Sequence, residues 1–411
     1  MMKKFGLLGR KLGHSFSPQI HRHLGDYEYL LYEKEPEDVE AFVKNSGLDG
    51  FNVTIPYKQT VMPFCDDLSE TAQKIGSVNT VVYRNGKIEG HNTDYYGFTY
   101  MLKSAGIDPK GKKSIILGAG GASKTVSAVL RDMGAASVTF IDLNLENNYT
   151  NIDRHYDAEI IINATPVGMY PHNGSALVEL ANFPRCRGVA DLIYNPSRTK
   201  FILDAEALGL KHVNGLSMLV TQAKRAAELF LDCRLCDSLI PEIIRKIERE
   251  TKNIALIGMP GCGKSSIGKV LSNLTGRELI ETDLLIPEKA GKSIEAIFAE
   301  DGEDAFRAVE TAVLAEVSKL SGKIISTGGG VVTRQENYAL LHQNSTIVFL
   351  SRDLSLLPIS GRPLSCQNGV EALAEKRLPL YNAWCDYAVE CTGVKKTAYT
   401  IKNHLLPEDK E

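Results

Sequence analysis

Gly258-Met259-Pro260-Gly261-Cys262-Gly263-Lys264-Ser265-Ser266 lies past the middle of a 411-residue chain. Its spacing is G-x-x-x-x-G-K-[ST], the pattern of a loop that cradles phosphate. The run before it, Asn253-Ile254-Ala255-Leu256-Ile257, reads as a buried strand, and Ile267-Gly268-Lys269-Val270-Leu271 after it resumes at helical spacing. Strand, glycine loop and helix together are the context in which the pattern becomes a site. The glycines let backbone N–H groups close around phosphate oxygens at the positive end of a helix. Gly261, Cys262, Gly263, Lys264, Ser265 and Ser266 are therefore candidate nucleotide contacts, Lys264 reaching the terminal phosphates and Ser265 holding magnesium through its hydroxyl. Such a loop sits near the start of its own domain, so the chain divides just before it.

Bulk properties agree with a multidomain soluble chain. Its length allows two or three domains, and 43% hydrophobic with 24% charged residues is ordinary globular composition. A net charge of −3 gives no reason to propose nucleic acid or membrane as a partner. No apolar run spans a bilayer, and only five apolar residues follow Met1-Met2-Lys3-Lys4, so a cytoplasmic location is expected. Of eight cysteines, only Cys233 and Cys236 form a C-x-x-C; with no second pair and no redox-fold pattern around them, they read as incidental thiols.

Upstream, Phe5-Gly6-Leu7-Leu8-Gly9 reads as a first strand. Ser15 and Ser17 then stand before a helix beginning near Pro18, where two hydroxyls can meet one carboxylate. Asn52-Val53-Thr54-Ile55-Pro56-Tyr57-Lys58 places a polar cluster at a strand end, followed by Val78-Asn79-Thr80 and Asn92-Thr93-Asp94. In this order the four motifs closely resemble the shikimate dehydrogenase family. The resemblance implies that Lys58 and Asp94 form the catalytic pair. It also implies that Ser15, Ser17, Thr54, Asn79 and Asp94 grip the substrate's carboxylate and ring hydroxyls. The chemistry suits that role: reducing a ring ketone needs a proton at oxygen as hydride reaches carbon, and a lysine held by a carboxylate supplies it.

The strand Ser114-Ile115-Ile116-Leu117 runs into Gly118-Ala119-Gly120-Gly121-Ala122-Ser123 and a helix through Leu130, a dinucleotide turn with Ser123 where a third glycine or small residue is expected. The next strand ends at Asp142, about twenty residues beyond the glycines, where an acid bonds the ribose hydroxyls of NAD and repels the 2′-phosphate of NADP. Members of the family that use NADP carry Asn-Arg-Thr here; this chain has Asp142-Leu143-Asn144, with no arginine, which favours NAD. Residues 145–157 are polar and lack an amphipathic helix, so a helix and strand usual in the family are expected to be shortened or missing. Further on, Asn163 to Met169 resembles the family's nicotinamide-side loop. By the same resemblance Tyr194 and Gln222 are substrate contacts, and Gly215 lies near the nicotinamide.

Beyond the phosphate loop, Glu278 to Asp283 reads as a strand ending in two acids at alternate positions, Glu281 and Asp283. Phe306-Arg307-Ala308-Val309-Glu310, Gly328-Gly329-Gly330, Gly361-Arg362-Pro363-Leu364 and Lys376-Arg377-Leu378-Pro379 follow. This series resembles shikimate kinase over roughly residues 253–405. The resemblance implies that Asp283 accepts the substrate's 3-hydroxyl, that Arg307 and Arg377 clamp its carboxylate, and that the Gly329 backbone approaches it closely. It implies further that Arg362 reaches ATP from a lid over 358–369, and that Glu281 takes the place of an aspartate that helps hold magnesium.

The expected fold is α/β throughout. A substrate domain (1–95 and 218–249) is paired with a shortened Rossmann-like dinucleotide domain (96–217), and a P-loop kinase domain with a parallel sheet follows over 250–411. The expected function is bifunctional: NAD- or NADP-dependent reduction of 3-dehydroshikimate to shikimate, then ATP- and magnesium-dependent phosphorylation to shikimate 3-phosphate. Two alternatives stand beside it. One is a kinase joined to a non-catalytic domain that senses shikimate or quinate, suggested by the shortened cofactor half. The other is a quinate-accepting NAD dehydrogenase joined to the kinase. The expected partners are these small molecules, with homo-oligomerisation left open.

Overall fold

The computed structural model of the protein describes residues 2–13, 15–357 and 369–407. Its contacts form two compact units. The first comprises Met1–Met169, Ser175–Tyr194 and Phe201–Ile247; the second comprises Tyr170–Gly174, Asn195–Lys200 and Glu248–Glu411. The division near residue 248 falls inside one helix, Leu239–Thr251. No described helix is long and apolar enough to cross a membrane.

The first unit opens with a six-stranded sheet made of β1 (Lys4–Gly9), β2 (Glu28–Glu33), β3 (Gly50–Val53), β4 (Asp67–Leu68), β5 (Thr80–Arg84) and β6 (Lys87–His91), in the order β2-β1-β3-β5-β6-β4. β5 and β6 form a hairpin closed by Asn85-Gly86, both with positive φ. That two-residue turn matches the twist of the flanking strands, and Asn-Gly is the pair that adopts it most readily. The register it sets puts His91 opposite Thr80, so the strand enters Asn92-Thr93-Asp94 beside Asn79.

A second, fully parallel sheet holds β7 (Lys113–Leu117), β8 (Ser137–Ile141), β9 (Ile160–Asn163), β10 (Gly188–Asp191) and β11 (Lys211–Val213), in the order β11-β10-β9-β7-β8. Ile160 to Asn163 is buried at every position, as a central parallel strand covered on both faces must be. β8 is the edge of the sheet. The polar stretch after it yields only a 3₁₀ segment, Tyr149–His155, and among the described residues no strand pairs outside β8. The cofactor half is thus short by the elements its sequence could not build.

The second unit is a five-stranded parallel sheet of β12 (Asn253–Ile257), β13 (Leu279–Glu281), β14 (Ile324–Ser326), β15 (Ser345–Ser351) and β16 (Tyr387–Glu390), ordered β13-β14-β12-β15-β16. β12 is buried throughout and sits between neighbours that lead the chain in opposite directions. A crevice at the carboxyl ends of the strands follows from that reversal. Burying Ile254, Leu256, Ile257, Ile324, Ile325 and Ile347 contributes about 1.5–3 kcal/mol for each side chain, offset by ordering entropy. One expectation is corrected here. Glu278 to Asp283 is not a strand to its end: β13 stops at Glu281, and a helix, Thr282–Ala290, carries Asp283 in its first turn. There the carboxylate meets the positive end of the helix.

Candidate active sites

In the first unit, Lys58 lies in the turn after β3, and its carbonyl accepts from Val78 N–H at 2.8 Å. Asp94 is the first residue of the helix Asp94–Ser104. The two side chains meet at 2.6 Å, both largely buried. Around them runs a continuous polar network. The Asn79 amide donates to Thr93 Oγ1 at 3.0 Å and to Gln222 Oε1 at 3.4 Å, while its carbonyl oxygen accepts from Thr93 N–H at 2.7 Å. Asn52 donates to Thr80 Oγ1 at 3.0 Å and accepts from the Tyr29 hydroxyl at 2.8 Å. Asn79, Thr93 and Gln222, distant in sequence, are thereby held in one place.

Tyr29 in turn stacks on His21, with ring centroids 3.8 Å apart. Burial pushes the His21 imidazole down to about 3, partly opposed by Asn52, so it is neutral throughout the physiological range. Ser15 Oγ accepts from Ser17 N–H at 3.3 Å, Ser17 is buried, and Thr54 follows directly on β3. The Tyr194 ring packs 5.1 Å from Phe16, beside the serine pair. Sequence reasoning missed Tyr29, Asn52 and Thr93 as parts of this network, although the last two lie inside the quoted motifs.

In the dinucleotide half, Gly118 has φ +97° and takes its N–H to Ile141 O at 2.8 Å, which only glycine does without strain. A Cβ on Gly120 or Gly121 would meet nothing within 4 Å, so the loop has open space before it at the start of the helix Gly121–Asp132. Ala119 belongs to the same loop: Asp142 Oδ2 accepts from its N–H at 3.0 Å. Asp142 thus stands at the glycine turn, as its position at the end of β8 requires. Ala122 and Ser123 continue the helix, and Ser123 is fully buried. A side chain at Gly215 would fall on the carbonyl of Leu192, a packing reason for glycine there.

The second unit holds a cleft of about 500 Å³. Gly261, Gly263, Lys264, Ser265, Ser266, Asp283, Arg307, Gly329 and Arg377 all line it, so most of the residues singled out in this half come together. Cys262 is buried beneath the loop instead. Glu281 does not line the cleft and faces Lys269 at 3.8 Å. Arg362 lies outside the described residues. Lys264 donates to Gly258 O at 2.8 Å and Met259 O at 3.1 Å, across its own loop.

The three glycines after β14 each make room for a different group. A Cβ on Gly328 would lie 2.5 Å from Glu310 Oε1 and 2.9 Å from Asp283 Oδ1. On Gly329 it would lie 2.7 Å from Pro260 of the phosphate loop, and on Gly330 it would fall inside the Arg307 guanidinium. The Gly329 carbonyl also accepts from Arg377 Nη1 at 3.2 Å and from the Tyr381 hydroxyl. Arg307 is fixed by Glu310 at 2.7 Å and Glu303 at 3.0 Å. Burial pushes the Glu310 carboxyl up against the pull of Arg307, and burial likewise raises Asp283, opposed by Lys264 and Arg307. Glu310 and Tyr381 were not foreseen. The available signal was helical spacing, three residues beyond Arg307 and four beyond Arg377.

Fold and sites define the class: an oxidoreductase with a Lys–Asp pair and a polar side-chain network joined to a dinucleotide half, followed by a P-loop phosphotransferase. Comparison with known proteins makes it specific. A family model described as shikimate dehydrogenase substrate binding domain matches residues 7–81, and one described as shikimate kinase matches residues 260–403. The shikimate dehydrogenase (NADP(+)) of Clostridium perfringens strain SM101 is 38% identical over 250 residues, covering 56% of this chain and 92% of that protein. The crystal structure of a chorismate mutase/shikimate 5-dehydrogenase fusion protein from Clostridium acetobutylicum matches at 36% identity and TM-score 0.58, covering 60% of this chain and 97% of that one. A Listeria monocytogenes shikimate 5-dehydrogenase in complex with shikimate and NAD matches at 29% identity and TM-score 0.54, covering 59% and 96%. The chain belongs to the shikimate dehydrogenase family and carries a shikimate kinase domain behind it. It is a bifunctional enzyme of shikimate metabolism.

Proposed function

We propose that residues 1–249 reduce 3-dehydroshikimate to shikimate and residues 250–411 phosphorylate shikimate at its 3-hydroxyl. The observation that carries the first step is the 2.6 Å Lys58–Asp94 pair, with Asp94 directly after Thr93 of the Asn79–Thr93–Gln222 network. Ser15 and Ser17 offer hydroxyls to the substrate carboxylate, while Thr54, Asn79, Tyr194 and Gln222 orient the ring. Lys58 delivers a proton to the carbonyl oxygen, and Asp94 holds the ammonium in place for it. The bound reduced nicotinamide supplies hydride. The open Gly120-Gly121 turn fits the pyrophosphate, and Asp142 fits the ribose diol of NAD better than a 2′-phosphate, although the Clostridium perfringens relative is named for NADP.

In the kinase cleft, Arg307 and Arg377 take the carboxylate through planar, fork-shaped donors. Asp283 accepts the 3-hydroxyl proton as that oxygen attacks the γ-phosphoryl group of ATP, leaving ADP. Lys264 leaves its carbonyl partners for the phosphates. Ser265 lines the cleft and would offer magnesium a hydroxyl ligand, whereas Glu281 faces Lys269 at 3.8 Å. One assay tests the whole reading. The protein is given shikimate with NAD, with NADP and with ATP separately, and quinate in parallel. The expected result is faster reduction of NAD than of NADP, abolished by Lys58→Ala, together with ATP-dependent loss of shikimate that survives that substitution. Absence of cofactor reduction would refute the first step, and absence of phosphorylation would refute the second.

A further inference from the structure

We propose that Arg352 is a contact of the kinase for the phosphate chain of ATP. It stands just beyond β15, on the side of the phosphate loop away from Asp283, and lines the cleft together with Val394 at the start of the helix Val394–Leu405. The strand order splits the cleft between two ligands. The segments that follow β13 and β14 carry Asp283, in the first turn of its helix, and the three glycines, whereas those that follow β15 and β16 carry Arg352 and Val394. The first side belongs to the acid substrate, so the second belongs to the nucleotide.

Among the described residues, every other cation lining the cleft is already engaged. Lys264 is tied to Gly258 and Met259 carbonyls, Arg307 to two glutamates, and Arg377 to Gly329. Arg352 has no carboxylate within ion-pair distance among the described residues, and its buried Nε has no acceptor. A half-buried guanidinium without a counter-ion, facing a cleft, is costly unless an anion completes it. The start of the phosphate loop is pressed against the end of β15: a Cβ on Gly258 would lie 2.7 Å from Leu350 O. That puts Arg352, two residues on, alongside the loop.

The inference rests on ATP as the nucleotide of this cleft, which wild-type turnover with ATP checks on its own. Steady-state kinase rates of the whole protein are then compared for wild type, Arg352→Ala and Arg352→Lys, with inorganic tripolyphosphate as a competitor. Arg352→Ala should raise the KM for ATP about tenfold or more, as expected for losing a charge-assisted contact. It should raise the Ki of tripolyphosphate in parallel and leave the KM for shikimate within twofold. Arg352→Lys, which keeps the charge without the fork, should fall between. An ATP KM within twofold of wild type overturns the proposal. So does an unchanged tripolyphosphate Ki, which would assign Arg352 to the nucleoside instead. A shikimate KM rising alongside that for ATP would mean a structural role and overturn it equally. Should Arg352→Ala lose turnover entirely, Arg352→Lys carries the same comparison.

Discussion

Gly330→Ala isolates the clamp on the acid substrate from the rest of the kinase. Gly330 has φ −101°, a negative φ open to alanine, so the main obstacle to the change is space. The added methyl would occupy the volume of the Arg307 guanidinium. That side chain cannot step aside cheaply, because it is buried and pinned by Glu310 at 2.7 Å and Glu303 at 3.0 Å. Displacing it removes one guanidinium from the substrate carboxylate. A charge-assisted hydrogen bond contributes about 1.5–3 kcal/mol, or roughly 10- to 150-fold in affinity. Breaking a buried ion pair costs about 3–5 kcal/mol when the remaining charge has no escape. Burial already pushes the Glu310 carboxyl up while Arg307 pulls it back, so displacing Arg307 removes the main group that favours its charged form.

The assay is ADP formation with shikimate varied at saturating ATP, then ATP varied at saturating shikimate. The expected outcome is a shikimate KM raised by about 30- to 100-fold, with the ATP KM within threefold. Gly329→Ala should raise both constants, because that glycine is wedged against Pro260 and its carbonyl anchors Arg377. A shikimate KM within threefold of wild type for Gly330→Ala would refute the reasoning, since Arg307 would then not be held against this backbone or would not bind the substrate.

The acid–base pair of the first unit should behave as a unit. Lys58→Met is expected to cut shikimate oxidation by about 10²- to 10⁴-fold while kinase turnover stays intact, and a loss under tenfold would remove Lys58 from the chemistry. Asp142→Ser should raise kcat/KM with NADP relative to NAD by about tenfold, since it deletes a carboxylate where the 2′-phosphate would lie; a wild type that already prefers NADP defeats the premise. For the kinase, the ionised form of Asp283 is the active one and burial raises its pKa, so the rate is lost as pH falls through that raised value. The acid limb of kcat/KM should therefore lie above the ordinary aspartate range near about 4, and a limb at or below it contradicts the assignment.

Motifs were legible where function depends on local chain geometry. The phosphate loop, the dinucleotide turn and Asn92-Thr93-Asp94 each follow a strand and open a helix, and that context is written in adjacent residues. The short polar stretch after Asp142 was legible for the same reason: too few apolar positions to build another strand beyond β8. What escaped was whatever depends on two distant segments touching. Nothing near Gly330 says that Arg307 will lie against it, or near Gly329 that Pro260 will, so the sequence marked Gly329 alone as a close approach, whereas all three glycines make separate close contacts. Asp283 was placed on the wrong element because the apolar pair Leu279-Ile280 marks a strand without marking where it ends, and the helix that captures Asp283 packs through Ile286, further downstream. Tyr29 and Asn52 were missed because their meeting needs the register of β2, β1 and β3.

The two units would hold the same small acid by opposite means, and the chemistry of each explains the choice. Around Lys58 the proposed recognition groups, Asp94 apart, are neutral hydroxyls and amides: Ser15, Ser17, Thr54, Asn79 and Gln222. A guanidinium beside that lysine would compete for Asp94 and make the ammonium release its proton too readily. In the kinase cleft the problem is reversed. Lys264, Arg307, Arg352 and Arg377 all line it, because a carboxylate and a triphosphate must share one enclosure and their mutual repulsion has to be screened. Glu310 and Glu303 then keep Arg307 from turning toward the phosphates. Asp283 lines the same cleft, its pKa raised by burial against the opposing pull of Lys264 and Arg307. On the proposed reading, a division of cations between substrate side and nucleotide side would let one cleft bind two anions in register for transfer.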